Sequence, residues 1–215
     1  MIRIAVLSAG LSQPSSTRLL ADRLIAATEL DLAGREVEFE VIELRDLARG
    51  LADNLVTGFA AGPLREAIDK VVRADGVIAV TPIFSASYSG LFKTFFDVLE
   101  PDSLIGKPVL IAATGGSARH SLALEHAVRP LFSYLRAVVV PTSVYAASED
   151  WGSAGSGPDS GLSDRIDRAA GEFADLLAAR PARAHADPYA EPVPFEQLLA
   201  GDRGRPNRRT DVIAT

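Results

Sequence analysis

Three consecutive hydroxyl side chains, Ser15, Ser16 and Thr17, precede a segment whose leucines have helical spacing. Serine and threonine are favoured at the start of a helix, where the side-chain oxygen accepts a hydrogen bond from a free backbone amide. The same amides and the positive end of the helix dipole attract anions such as phosphate. These residues therefore have two interpretations: they cap the helix alone, or they cap it and also hold an anion.

The loop that carries these hydroxyls lacks the common nucleotide-binding fingerprints. Residues 8–17 contain no G-x-G-x-x-G, and the chain contains no G-x-x-x-x-G-K-[ST]. A phosphate bound here would be held by hydroxyls and amides, without a lysine or a glycine-lined pyrophosphate cradle. This pattern favours a mononucleotide such as flavin mononucleotide (FMN) over a dinucleotide or ATP.

Two later loops carry groups suited to a flat ligand. Phe84 and Tyr88 lie among small residues between Thr81 and Ser89. Further along the chain, Thr114–Ser117 contains paired glycines, which let a backbone approach a flat ring where a Cβ would collide. A plain turn uses the same glycines, so this loop by itself does not distinguish a ligand site from a turn.

The elements that would position these loops alternate between strands and helices. Apolar, β-branched runs predict buried strands, and the alternation of Val37, Phe39 and Val41 with glutamates predicts a half-exposed edge strand. Helical spacing predicts the intervening helices, one of them kinked near Val128–Arg129 by Pro130. The predicted strands are 2–8, 37–41, 77–80, 108–113 and 137–140, and the main predicted helices are 17–30, 63–74, 91–99, 122–135 and 162–179.

This alternation is typical of a doubly wound α/β fold. Because the second strand has the pattern of an edge strand, we predict a flavodoxin-like, five-stranded parallel sheet in the order 2-1-3-4-5. Ligands of such sheets bind beyond the carboxyl ends of the strands where the order reverses, which is here between the first and third strands. The loops 8–17, 81–89 and 114–117 should therefore flank one crevice.

Composition excludes several classes of function. A net charge of −6 at pH 7 argues against a basic face for nucleic acid or an anionic membrane, so neither is an expected partner. The chain has no cysteine, which excludes disulfides and thiolate chemistry, and we predict no metal site. Met1–Leu7 enters a strand directly, and no run reaches the roughly 18 apolar residues of a membrane span, so we expect a cytoplasmic protein.

The stretch Thr81–Lys93, together with Gly106–Pro108 and Ala113–Gly116, resembles the NAD(P)H-dependent FMN reductases of the flavodoxin-like superfamily. The resemblance covers residues 1–180 and is strongest to the branch that partners luciferase-like, two-component monooxygenases. It implies hydride transfer from C4 of NADPH or NADH to N5 of FMN. The reduced FMN would then pass to an FMNH2-dependent monooxygenase.

The resemblance also implies where FMN binds. The first loop would hold the phosphate, the second would line the isoalloxazine ring, and the third would meet the ring edge. The implied residues are Ser8, Ser15, Ser16 and Thr17 for the phosphate, Pro82, Ile83, Phe84, Ser85 and Tyr88 for the ring, and Thr114, Gly115, Gly116 and Ser117 for its edge. The sequence departs from the family at Gly10–Ser12, where many relatives have Gly-Ser-x-Arg, so one charge partner of the phosphate is lost.

The implied chemistry needs little from side chains, because the flavin carries the electrons and the protein mainly fixes the geometry of the rings. We therefore assign no general acid or base. His120, beside the glycine loop, is the candidate for tuning the flavin or the nicotinamide, with an ordinary polar histidine as the alternative.

Two other functions are compatible with the same pattern. One is a reductase that retains FMN as a cofactor and reduces quinones or azo dyes, and the other is a flavodoxin-like electron carrier. Such carriers are usually more acidic than a net charge of −6 over this length.

The chain is expected to form a homodimer or homotetramer. Residues 1–180 make up the predicted FMN-binding domain, whereas residues 181–215 are rich in proline, alanine and arginine. We interpret 181–215 as an extended C-terminal tail that docks on a neighbouring subunit.

Overall fold

Seven strands form one sheet in the computed structural model, which describes residues 1–152 and 161–179. The hydrogen-bonded order is β2-β1-β3-β5-β6, with β4 paired to β3 and β7 paired to β5. The strands are β1 (Ile2–Ser8), β2 (Val37–Glu43), β3 (Gly76–Phe84), β4 (Ser87–Tyr88), β5 (Pro108–Gly115), β6 (Val138–Val139) and β7 (Val144–Ala147). All pairs are parallel except that of β3 with β4.

The α/β class is confirmed, but the prediction of five strands in the order 2-1-3-4-5 is wrong in the number of strands. β4 is a two-residue antiparallel strand that folds back on the end of β3. The predicted fifth strand, 137–140, contains only the two-residue β6, and a further short strand, β7, pairs with β5 beyond Pro141. Proline has no N–H for the ladder, so an interruption at this position is expected on physical grounds.

Helices cover both faces of the sheet. They are α1 (Ser16–Asp31), α2 (Ala48–Thr57), α3 (Gly62–Arg73), α4 (Gly90–Asp97), α5 (Arg129–Tyr134), α6 (Ser148–Gly152) and α7 (Gly161–Ala178). Successive residues of β1 face opposite sides, so that Val6 packs in the cluster with α1 and α7, and Leu7 packs in the cluster with α2 to α5. None of the helices in the described residues is long and apolar enough to cross a membrane.

The predicted kink before Pro130 takes the form of a π-helical turn over Leu124–Val128, which leads directly into α5. Arg129 at the junction donates to both carboxylate oxygens of Glu125 and to the carbonyls of Val140 and Pro141. Its guanidinium lowers the pKa of Glu125 below the usual range of a carboxyl group, and therefore keeps the ion pair charged near neutral pH. The arginine thus ties the bent helix to the connection between β6 and β7.

Lys107, which immediately precedes β5, is a buried lysine that closes the carboxyl end of α3. Its side chain is 1% exposed, and its Nζ donates to the carbonyls of Val71 and Val72 at 2.6 and 2.8 Å. Carbonyls at the end of a helix lack helical partners and carry the negative end of the dipole. The ammonium therefore joins α3 to the start of the strand that leads to the third loop.

We expect Lys107→Met to lower the free energy of unfolding by about 1–3 kcal/mol, because two carbonyls at the end of α3 lose a buried donor. Urea denaturation of the flavin-free chain measures the change. The matched control is Lys70→Met, since Lys70 is a more exposed lysine paired loosely with Glu40 at 3.6 Å, and such pairs contribute at most about 1 kcal/mol. Equal losses in the two variants would contradict a special role for Lys107.

Candidate active site

A cavity of about 440 Å³ lies at the carboxyl ends of β1, β3 and β5, where the sequence predicted a crevice. This volume is in the range of small-molecule sites, roughly 300–1,000 Å³. Its wall is made by the first loop and the start of α1, the end of β3, the end of β5, and α6. The lining residues are Gly10, Leu11, Ser12, Ser15, Ser16, Thr17, Pro82, Ile83, Phe84, Thr114, Gly115, Gly116, Ser148 and Trp151.

Nine of the residues predicted from the sequence line this cavity together. They are Ser15, Ser16, Thr17, Pro82, Ile83, Phe84, Thr114, Gly115 and Gly116. They come from three segments far apart in the chain and meet because the strands that carry them are neighbours in the sheet. Their contact with a ligand stays a prediction.

The other predicted residues do not line the cavity. Ser8 is fully buried at the end of β1, and its Oγ has no hydrogen-bond partner in the described part of the chain. Tyr88 packs its ring 5.9 Å from that of Phe92, while Ser85 lies in an exposed turn. Beyond Gly116, the Ser117 side chain caps the short 3-10 helix Ala118–His120, and His120 is exposed.

The neighbouring hydroxyls of the first loop differ in their contacts. Ser15 is the N-cap of α1, since its Oγ accepts a hydrogen bond from the amide of Arg18 at 3.2 Å. Ser16 is exposed and lines the cavity at the first position of the helix. No acidic residue lies in the first turn, so the positive end of a 16-residue helix faces the cavity without a carboxylate to cancel it.

Two contacts hold the first loop in this position. A Cβ on Gly10 would lie 2.1 Å from Ser15 Oγ, so the loop turns tightly onto its own cap. Across the cavity floor, the hydroxyls of Thr17 and Thr114 are 2.9 Å apart and nearly buried. This hydroxyl pair links the first loop to the end of β5.

Two arginines lie beside the first loop, although neither lines the cavity. Arg18 donates to Asp22 and Glu43, and these hydrogen bonds raise its pKa further while compensating its charge. Arg45 donates to the Ser12 carbonyl at 3.4 Å, and the Gln13 side-chain amide lies against its guanidinium. Sequence reasoning missed Arg45, because it follows β2 in a segment with no motif and approaches the loop only in three dimensions.

The second loop is a tight β-hairpin between β3 and β4. Its two central residues, Ser85 and Ala86, have positive φ angles of 46° and 69°. Such angles match the twist of a two-residue hairpin but cost energy for residues other than glycine. The loop is secured at its base, where Thr81 Oγ1 accepts from the Ser89 amide at 3.1 Å. Phe84, at the edge of this turn, is 47% exposed while lining the cavity.

The short helix α6 forms a further part of the cavity wall. Ser148 and Trp151 line the cavity from this short helix, and the guanidinium of Arg23 lies 5.0 Å from the centre of the tryptophan ring. Asp150 accepts a hydrogen bond from the Ala147 amide at 2.8 Å and so anchors α6 to the end of β7. The only available signal was the tryptophan itself, which carries no spacing pattern.

The chain is similar in sequence to a defined family and to characterised relatives. A family model described as NADPH-dependent FMN reductase matches residues 2–152. An FMN reductase (NADPH) of Pseudomonas aeruginosa is 38% identical over 149 residues, which cover 69% of this chain and 78% of the relative. An NADH-dependent FMN reductase, SfnF, of Pseudomonas fluorescens is 39% identical over 151 residues, covering 70% of this chain and 79% of the relative.

The fold of the chain is also similar to that of a solved structure. The crystal structure of an oxidoreductase from Corynebacterium diphtheriae superposes with a TM-score of 0.79 and is 47% identical. The match covers 84% of this chain and 99% of that structure. The family model, which matches residues 2–152, spans every strand of the sheet that carries the cavity.

We expect Ala86→Gly to raise the free energy of unfolding by roughly 0.5–1 kcal/mol. A left-handed conformation costs other residues about 1–2 kcal/mol, and this relief exceeds the roughly 0.5–1 kcal/mol of extra chain entropy that glycine loses on folding. Urea denaturation measures the difference. The control is Ala52→Gly, at an exposed position inside α2, which should lower the free energy of unfolding by a similar amount. The strained turn would be contradicted if Ala86→Gly failed to stabilise the protein, or if both substitutions stabilised it.

Proposed function

The chain belongs to the NADPH-dependent FMN reductase family and is an oxidoreductase that uses FMN and a reduced nicotinamide nucleotide, and we propose that it releases reduced FMN to a separate monooxygenase. The observation that carries the proposal is the composition of one cavity. A helix N-terminus with three hydroxyls forms one end, and a glycine-bearing strand end faces an aromatic loop at the other.

The residues of this cavity fit FMN. The free amides of α1 and the hydroxyl of Ser16 suit a phosphate, with Ser15 and Thr17 holding the loop around it. A Cβ on Gly116 would meet no atom within 4 Å, so the backbone there borders open space in which a flat ring can lie. Pro82, Phe84 and the backbone of 114–116 are the groups that would contact that ring. When bound, FMN supplies the hydride acceptor.

The side chains of the cavity bind and orient rather than transfer protons. No carboxylate, imidazole or amine is among its lining residues in the described part of the chain. The wall instead provides hydroxyls, backbone amides and apolar surface, which fix ring geometry and exclude water from the reacting faces. The rate would therefore depend on how well the loops hold the rings in contact.

The charged residues beside the first loop, where the phosphate would bind, support release of reduced FMN. Arg18 is compensated by Asp22 and Glu43, and Arg45 is held by the backbone and amide of the first loop. Since the lining contains no cationic side chain within residues 1–152 and 161–179, the phosphate would be held there by neutral donors. Hydroxyls and amides do not add the direct Coulombic attraction of a cation for the phosphate, and modest affinity suits an enzyme that passes its flavin on.

The proposal also includes the assembly and location of the protein. We propose a homodimer or homotetramer in the cytoplasm, where nicotinamide nucleotides are kept reduced. The C-terminal tail, residues 181–215, is the segment proposed to dock on a neighbouring subunit, and it lies outside the residues that the structure describes. Light scattering of the full chain measures the mass, and a monomer would overturn the assembly.

The deciding experiment follows NADPH and NADH oxidation while FMN, FAD or riboflavin is titrated into the flavin-free chain. Turnover that saturates with free FMN and yields diffusible reduced FMN is the expected result. Activity that plateaus at one FMN per subunit and then needs a quinone or azo dye would identify a reductase that retains its flavin. Absence of nucleotide oxidation would overturn reductase activity and favour an electron carrier.

We expect Ser16→Ala to raise the KM for FMN by at least about ten-fold, since the loss of one hydrogen bond to the charged phosphate costs about 1.5–3 kcal/mol. Riboflavin lacks the phosphate, so its KM should not change. Stability should also stay constant, because Ser15 and not Ser16 is the cap of α1. An equal effect on both flavins would place the phosphate elsewhere.

A further inference from the structure

The loop that follows β5 is held in place by a tyrosine of the neighbouring strand. Tyr145, on β7, is 7% exposed, and its hydroxyl donates to the carbonyl of Ser117 at 2.9 Å. The same carbonyl accepts from the amide of His120 at 3.3 Å. The tyrosine therefore fixes the point at which the chain leaves the cavity wall and enters the short 3-10 helix.

The paired glycines of this loop have different surroundings. A Cβ on Gly115 would lie 2.0 Å from the Tyr145 hydroxyl oxygen and 3.1 Å from its Cζ. A Cβ on Gly116 would have no neighbour within 4 Å. Gly115 is thus required by a side chain of the protein itself, and only Gly116 is next to open space in the cavity.

The strand that carries the tyrosine is itself well anchored. Tyr145 pairs with Ala113 in the register of β5 and β7, two residues before Gly115. Arg165 of α7 donates to the Tyr145 carbonyl at 3.2 Å and pairs with Asp150 at 3.5 Å. Burial raises the pKa of the Tyr145 hydroxyl, with Asp150 as a second cause, so the hydroxyl remains a donor throughout the neutral and mildly alkaline range.

We propose that Tyr145 is a positioning residue for flavin binding: its hydroxyl holds the Ser117 carbonyl and occupies the space left by Gly115, so that the backbone at Gly116 faces the ring. This inference rests on the proposed function. The tyrosine touches no ligand and acts through the loop. Gly115 and Tyr145 form one packing unit, and Gly116 is the glycine reserved for the ligand.

The test uses the full chain with five changes: Tyr145→Phe, Gly115→Ala, the two combined, Gly116→Ala, and Thr142→Val. The last is the control, because Thr142 precedes β7 at its amino end and its hydroxyl also makes one partly buried hydrogen bond, to Glu172 at 2.7 Å. Urea denaturation without flavin measures stability, quenching of flavin fluorescence measures the Kd for FMN, and steady-state kinetics separate KM from kcat.

Tyr145→Phe is expected to raise the Kd and KM for FMN about five-fold, the change that corresponds to one hydrogen bond, with kcat changed less than about two-fold. Thr142→Val should lower the urea midpoint to a similar extent while leaving the Kd unchanged. Gly116→Ala should raise the Kd without changing the midpoint. Gly115→Ala should lower the midpoint, and by less when Phe replaces Tyr145, because the atom closest to the new Cβ is then gone.

Three results would overturn the inference. The first is a Kd for FMN that Tyr145→Phe leaves unchanged while stability falls, which would show a structural role alone. The second is strictly additive stability losses for Tyr145→Phe and Gly115→Ala, which would separate the tyrosine from the glycine. The third is a wild-type chain that binds no FMN, and only this result would overturn the proposed function as well.

Discussion

The parallel pairing of β1 with β3 is the constraint on which the site depends. β2 continues the sheet beyond β1, and β5 continues it beyond β3, so the loops that follow β1 and β3 diverge to opposite faces and leave a crevice between them. The pairing extends past the last ladder residue of β1, since the Ala9 amide donates to the Val80 carbonyl at 3.0 Å. Without this contact, the first loop would have no fixed distance from the second.

Most polar groups around the cavity already have partners within the fold. Ser15 caps α1, Thr17 meets Thr114, and the Ser117 carbonyl accepts from Tyr145. These internal hydrogen bonds set the positions of the loops, and they leave the exposed Ser16, the first amides of α1 and the Gly116 backbone for a ligand. The loops of the proposed flavin site are thus held in place by internal hydrogen bonds before any ligand binds, which lowers the entropy cost of binding.

Much of the fold follows from local patterns, and the deviations have identifiable physical causes. The apolar runs and their alternation with helices predicted the parallel sheet, the reversal of order and the crevice. The last predicted strand ends at Pro141, whose missing N–H was visible in the sequence, whereas the resumption of pairing beyond it in β7 depends on contact with β5. Ser8 was placed at the phosphate by resemblance, yet the strand that carries it is buried on both faces.

The sequence by itself determined which residue types would lie at the crevice, because loop composition and strand order place hydroxyls, aromatics and glycines at one edge of the sheet. Only the tertiary structure decided which of them line the cavity and why each is needed. Gly115 and Gly116 are the same residue type in the sequence, but Gly115 lies against the hydroxyl of Tyr145 and Gly116 lies beside open space. That difference arises from side chains that are distant along the chain and become neighbours only when the sheet forms, so no local pattern encodes it.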